Sequence, residues 1–226
     1  MRITSIVRIL VAALMAGSVL AARVPESREL LKSYEADSFN RVEIALPPDT
    51  ILRVRTSPEP ILTISGTVTM EFSESVPDEK IAKILEGIGL IGKLDGRRLL
   101  IVEHREPEAR TGLAKWSDAD FDVTITVPEW TNVEVRQRNG RVDVEGDLGS
   151  VKVGLTSGQI DVSVPKERVR QLSARTRVGE VKADLGNITE EREGFFPGEM
   201  QYENVDGSTW IELALTFGDI SVELRE

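Results

Sequence analysis

The chain has no cysteine and a single histidine, His104, among its 226 residues. The first absence excludes disulfide frameworks, thiol nucleophiles and cysteine-ligated zinc or iron–sulfur sites. The second leaves little room for a catalytic triad or a multi-histidine metal site. Positive charge is also short, with 28 Lys+Arg against 38 Asp+Glu and a formal net charge of −10. That balance disfavours nucleic acid, whose phosphates demand a dense Lys/Arg surface, and other anionic polymers with it. Aromatic residues make up only 5% of the chain, and no apolar run beyond the N-terminus approaches the ~20 residues that span a bilayer. A chain of this length nevertheless buries on the order of 70% of its unfolded surface, so one sizeable domain needs no metal or disulfide staple.

At the N-terminus, Arg2 and Arg8 precede the apolar run from Ile9 to Ala16, and Gly17-Ser18-Val19-Leu20-Ala21-Ala22 follows with small residues at its exit. This is the order of a secretory signal peptide, with Val19 and Ala21 placed for cleavage after Ala21. A membrane anchor is the alternative, but the run is short for a span. Removal of residues 1–21 takes two positive charges and leaves a formal −12. With no lipobox cysteine, the expectation is an exported, acidic chain, periplasmic or at the cell surface, with no membrane span once processed.

Four glycines organise the C-terminal half. Counting from Gly140, Gly158, Gly179 and Gly218, apolar residues recur seven and five positions before and two and four after. For Gly158 they are Val151, Val153, Ile160 and Val162, and all sixteen positions across the four units are apolar. Within each arm the alternation is that of a half-buried strand, yet the spacing across the glycine is odd. A straight strand would turn one arm outward, so the chain must bend at the glycine, where the missing Cβ permits a corner. Gly179 and Gly218 lie 39 residues apart, about two repeats, which predicts one degenerate coil between them.

A second repeat aligns Val42, Ile44, Leu46, Pro47, Thr50, Leu52 and Val54 with Val123, Ile125, Val127, Pro128, Thr131, Val133 and Val135 at a constant offset of 81. It predicts an irregular first coil with its corner at Pro58-Glu59-Pro60. Val68, Met70 and Phe72 alternate as a further strand, and Ile81, Ile84, Leu85 and Ile88 follow helical spacing after Pro77, with Gly87 and Gly89 as the stop. Leu99 to Val102 reads as a strand, and the charged run from Glu103 to Asp120 as an exposed loop. An immunoglobulin-like sandwich would also use short strands, but only stacked coils require them to resemble one another. The expected fold is therefore all-β, a β-solenoid-like stack of short repeated strands with one short helix inserted in the N-terminal half. Residues 22–38 form a lead segment and 39–226 a single repeat domain, irregular over 39–120 with the helix near 77–87, and regular over 121–226.

Val127-Pro128 leading into Val133-Glu134-Val135, with the units Gly140-Arg141-Val142-Asp143-Val144, Gly158-Gln159-Ile160-Asp161-Val162 and Gly218-Asp219-Ile220-Ser221-Val222, resembles the bacterial putative-adhesin family of exported β-strand-repeat domains, also grouped as toastrack domains. The resemblance runs from about Phe39 to Leu224, and the helix around Ile81 to Ile88 is its least typical part. It implies an extracytoplasmic stack of strands without catalytic residues. Some relatives belong to envelope-stress systems.

Candidate chemistry is sparse. His104, between Glu103 and Arg105, reads as a surface histidine in a charged loop rather than a base or ligand. Asp143 and Asp161 occupy the same position after their glycines, so stacking would set them side by side on the outer face. There they could bind calcium, divide acid and base roles in sugar hydrolysis, or simply be solvated. The Gly-Gly-x-Gly-x-Asp calcium repeat, a Gly-x-Ser-x-Gly elbow and a phosphate loop are all absent from the sequence. Phe195, Phe196, Tyr202 and Trp210 cluster where the repeat breaks, and Trp116 lies in the charged run. These aromatics could anchor a sugar or protein partner, or close the stack. The expected function is an exported, non-catalytic interaction or scaffold domain, adhesin-like and without cofactor, acting on an unknown protein or glycan of the cell envelope. An envelope-stress accessory acting through a membrane partner and a carbohydrate-active β-helix enzyme are the alternatives.

Overall fold

The computed structural model describes residues 23–73, 75–107, 109, 119–184, 189–192 and 198–225. Alternation of apolar and polar residues makes about three quarters of them strand. The N-terminal half contains β1 (Arg23–Glu35), β2 (Arg41–Ala45), β3 (Thr50–Ser57), β4 (Ile61–Ser73), the helix α1 (Asp78–Glu86), β5 (Ile88–Asp95) and β6 (Arg98–Arg105). The C-terminal half contains β7 (Asp120–Pro128), β8 (Asn132–Glu145), β9 (Ser150–Pro165), β10 (Val169–Val178), β11 (Val181–Asp184), β12 (Thr189–Arg192), β13 (Gly198–Glu203) and β14 (Thr209–Arg225).

β8, β9 and β14 each run unbroken through a corner glycine and lie side by side, parallel and in register. Gly140 pairs with Gly158, and Gly158 with Gly218. Before the glycines the pairing continues from β8 to β2 and from β14 to β10. After them it continues from β8 to β3 and from β14 to β11. The fourteen described strands thus form one connected sheet that bends at the glycines into two walls. The first wall adds β5, β6 and β13 at its edges, and the second adds β7, β4, β1 and β12.

The odd spacing across each glycine fits this bend, because both arms bury their alternate residues. All sixteen repeat positions are 2% exposed or less. They stack as ladders between the walls, among them Val142–Ile160–Ile220–Val181 and Val135–Val153–Leu213–Ala174. Val42, Ile44, Leu52 and Val54 of β2 and β3 extend the ladders into the N-terminal half. The corner requires glycine for two reasons. Gly158 and Gly218 adopt φ of 133° and 127°, outside the range of ordinary L-residues. A Cβ on Gly158 would also lie 1.8 Å from the carbonyl oxygen of Gly140, and one on Gly218 would lie 1.9 Å from that of Gly158.

Several expectations are corrected. The last unit in sequence, β14, is not last in the stack: it inserts between β9 and β10. The stretch between Gly179 and Gly218 does not supply a further parallel coil, since β12 pairs antiparallel with β11 and β13 antiparallel with β10. The first corner is not at Pro58-Glu59-Pro60, which separates β3 from the oppositely directed β4. It lies between Ala45 and Thr50, with Asp49 at φ 63°. The offset of 81 therefore matches a local turn rather than equivalent coils, since Trp130 repeats that φ at 66° in a turn leading from the second wall back to the first. Glu103, His104 and Arg105 belong to β6 and not to a loop. Gly89 lies inside β5, a strand the sequence pattern did not mark, and residues 23–35 of the lead segment form β1, antiparallel to β4. The helix spans Asp78–Glu86 and ends at Gly87 as expected, but Ile88, counted in its spacing, opens β5 instead.

Candidate functional site

The outer face of the first wall is built from the residues that alternate with the ladder positions. Its rows cross the strands at the ~4.8 Å strand spacing and follow one another at two-residue steps of ~7 Å. The first row sets Asn132, Ser150, Trp210 and Gln171 side by side. Trp210 is 53% exposed, with the Arg170 guanidinium 5.8 Å from its ring centre. In the next row Lys152 reaches Glu212 at 2.7 Å, and Glu134 is held by Arg41 and by Arg136, whose Nε donates to it at 2.7 Å. Burial pushes the Glu134 carboxyl up, but the two guanidinium groups outweigh it and hold the group below the usual carboxylate range.

Two further rows complete the face. Arg136, Gly154, Ala214 and Arg175 form one. Arg138, Thr156, Thr216 and Arg177 take the same outward positions two residues on. Small residues in the middle and arginines at both ends leave a hollow of about 820 Å³. All four arginines are exposed. Among the described residues, ion pairing to a carboxylate is found in this set only for Arg136. Glu199 stands at the β13 end, where its Oε1 accepts from Gln201 at 3.0 Å.

The sequence reading missed this groove, although its signal was present. Counting back four and two positions from the corner glycines gives Arg-Arg, Gly-Thr, Arg-Arg and Ala-Thr in chain order. Insertion of β14 between β9 and β10 reorders these as Arg-Arg, Gly-Thr, Ala-Thr, Arg-Arg, so the small residues become one floor between two cationic rims.

The second wall holds Asp143 and Asp161, which are register neighbours on its outer face as the spacing predicts. Arg141 serves both, with Nε donating to Asp143 at 2.8 Å and Nη2 lying 3.0 Å from Asp161 Oδ2 without hydrogen-bond alignment. Burial pushes the Asp161 carboxyl up and, with the adjacent Asp143, outweighs the opposing pull of Gln159 and Arg141. Among the described residues no three His, Asp or Glu side chains are grouped to hold a metal ion. His104 sits half-buried on β6 opposite Gly89, away from both carboxylates in the pairing order.

Of the aromatic candidates, Trp210 is exposed, whereas Tyr202 packs partly buried against the core from β13. Phe195, Phe196 and Trp116 lie outside the described residues, as does the signal segment 1–21. Trp130, which the sequence reading passed over, is 48% exposed with Arg168 4.5 Å from its ring centre. No helix among the described residues is long and apolar enough to cross a membrane.

No protein-family model and no curated protein matches the chain. Among solved structures, a putative cell adhesion protein from Clostridium sporogenes is similar over 88% of this chain and 100% of its own, at 15% identity and a TM-score of 0.45. A putative adhesin from Parabacteroides distasonis is similar over 86% of this chain and 70% of its own, at 12% identity and a TM-score of 0.27. Another, from Bacteroides fragilis, is similar over 87% and 97%, at 10% identity and a TM-score of 0.19. The last two carry the adhesin name, and the first a cell-adhesion one.

Proposed function

We propose that the chain is an exported, non-catalytic interaction domain, adhesin-like, built as a β-solenoid-like stack that presents the outer face of its first wall to an extended partner of the cell envelope. The observation that carries this reading is the half-exposed Trp210 on a wall of in-register parallel strands, with an open hollow of about 820 Å³ on the same face. Such a wall holds its outward side chains at fixed spacing, so many weak contacts add along a partner without an enclosed pocket. Export rests on the order of Arg2, Arg8 and the apolar run, and places the mature N-terminus near Ala22 in a single repeat domain that follows a short lead.

The test is photocrosslinking in the native cells, with Trp210 replaced by p-benzoylphenylalanine and Leu31, 76% exposed on the distant edge strand β1, replaced in a control. Capture of an envelope glycan or protein from position 210 and not from 31 is the expected result. Equal capture from both positions would refute the assigned face. Turnover of a sugar substrate that is lost in Asp161→Asn would overturn the non-catalytic reading, and capture of an integral membrane signalling protein would replace it with the envelope-stress role. A Phe195→Ala, Phe196→Ala double variant that keeps its strand-rich circular dichroism but loses capture would extend the surface to that segment.

A further inference from the structure

We infer that the groove of the first wall binds a linear acidic polysaccharide, a chain of carboxylate-bearing sugars that lies across the parallel strands. This inference rests on the interaction reading above and names the chemistry of its partner. The chain is acidic overall, but the charge is segregated. The two rows of the groove bring four arginines together against one carboxylate, Glu199, at the rim. Arg138, Arg175 and Arg177 have no ion pair with a described residue, whereas Arg41, Arg53, Arg55, Arg98, Arg136, Arg141 and Arg225 all do. Guanidinium groups left open in this way offer planar forks that match a carboxylate.

The geometry narrows the class of anion. The two rims, Arg136 with Arg138 on β8 and Arg175 with Arg177 on β10, are three strands or ~14 Å apart, so a polymer rather than a single anion engages both. Between them Gly154 and Ala214 let a ligand approach the backbone, and Thr156 and Thr216 offer hydroxyls that donate to and accept from sugar hydroxyls. Trp210, four residues or ~14 Å along β14 from Ala214 and beyond the row of Glu134, Lys152 and Glu212, lies off this path. A single-stranded nucleic acid would need aromatic platforms repeated along the groove, and none of its lining residues is aromatic. An acidic protein partner would need deep apolar pockets for its anchors, and the three leucines that line the hollow, Leu46, Leu155 and Leu215, are themselves buried and leave little apolar surface open.

The test measures binding of polygalacturonate to the purified protein, beside its fully methyl-esterified counterpart, polyglutamate and single-stranded DNA. Expected are binding of polygalacturonate that weakens as salt rises, at least tenfold weaker binding of the neutral ester, and a loss of about tenfold or more in Arg175→Gln, Arg177→Gln. Lys32→Gln, exposed on β1 of the other wall, should bind like the unaltered protein, and Trp210→Ala, off the path of the chain, should lose no more than about two-fold. Unchanged melting of the double variant establishes that it is folded. Unaltered binding by that variant, or equal binding of the ester, overturns the inference. Polyglutamate or DNA bound as tightly as polygalacturonate overturns the assignment to a sugar chain. If the groove variants lose nothing while position 210 still captures a partner in cells, the inference falls and the interaction reading stands. Failure of capture at 210 removes both.

Discussion

The two halves of the chain turn the same corner by different means. In the C-terminal half β8, β9 and β14 cross from wall to wall as unbroken strands, and each carries glycine where the neighbouring backbone comes closest. In the N-terminal half the crossing is interrupted between Ala45 and Thr50. Thr50 stands in register with Gly140 but keeps its side chain, whose Oγ1 donates to the Pro47 carbonyl at 2.9 Å. The difference follows from what lies beyond. β7 continues the pairing from Ile51 onward, so no further strand follows the chain around the corner past Thr50. A corner stacked on both sides needs glycine, whereas one at the end of the stack can use an interrupted strand and a left-handed Asp49.

The ladder that both halves share is the most sensitive point. Ile160 is fully buried between Val142 and Ile220, so Ile160→Asp would place an unpaired carboxylate in the core and should cost on the order of 5 kcal/mol or abolish folding. Gln159→Asp, one residue away on the outer face, gives up the amide hydrogen bond to Asp161 and sets a further carboxylate beside it, and should cost only about 1 kcal/mol. Equal effects in chemical denaturation would contradict the assigned faces.

The corner itself comes next. Gly158→Ala forces an L-residue to φ 133° and a Cβ against the Gly140 carbonyl, and should lose about 3 kcal/mol or more. Asp49→Gly, at φ 63° in the interrupted corner, should stay within about 1 kcal/mol of the parent. A matched loss at both positions, read from urea midpoints, would erase the distinction between a stacked and a terminal corner.

The same comparison explains what the sequence could reveal. Every ladder position was legible, because burial of alternate residues in two arms leaves a period of two with a parity break at the glycine. Stack order was not legible, because Val, Ile and Leu ladders accept any unit as neighbour, and only the antiparallel return through β12 and β13 carries β14 back to lie on β9. β1 was hidden by its composition, since Arg23–Glu35 is largely polar, as suits a strand at a sheet edge. The arginine groove depends on stack order, so its four side chains read as two unrelated Arg-x-Arg pairs until β14 is in place.

A smaller effect is expected at Glu134, on the first wall. Its side chain is 4% exposed and shared by Arg41 and Arg136, which are 51% and 67% exposed. Glu134→Gln should cost about 1–2 kcal/mol, limited because both guanidiniums can return to water. The folded-state pKa lies below its unfolded value, so this stabilisation is complete above the unfolded value and is lost as pH falls through the folded one. Melting temperatures of variant and parent should therefore differ at neutral pH and converge in acid.

The corresponding residue on the second wall should respond with the opposite sign. Asp161 shares Arg141 with Asp143, and burial together with that neighbouring carboxylate raises its folded-state pKa above the unfolded value. A raised carboxyl means that the folded state holds its proton more tightly, so stability falls as pH rises through the window between the unfolded and folded values. Above that window the full penalty of ionised Asp161 is present, and below it none remains. Asp161→Asn should thus be neutral or stabilising at pH 7, by less than about 1 kcal/mol, because the group is partly exposed and salt screens its neighbours. Its advantage should vanish below the ordinary aspartate value. Thermal melts of Asp161→Asn and Glu134→Gln across one pH series check the contrast directly: a destabilised Asp161→Asn at neutral pH would mean that the ion pair with Arg141 outweighs burial and repulsion.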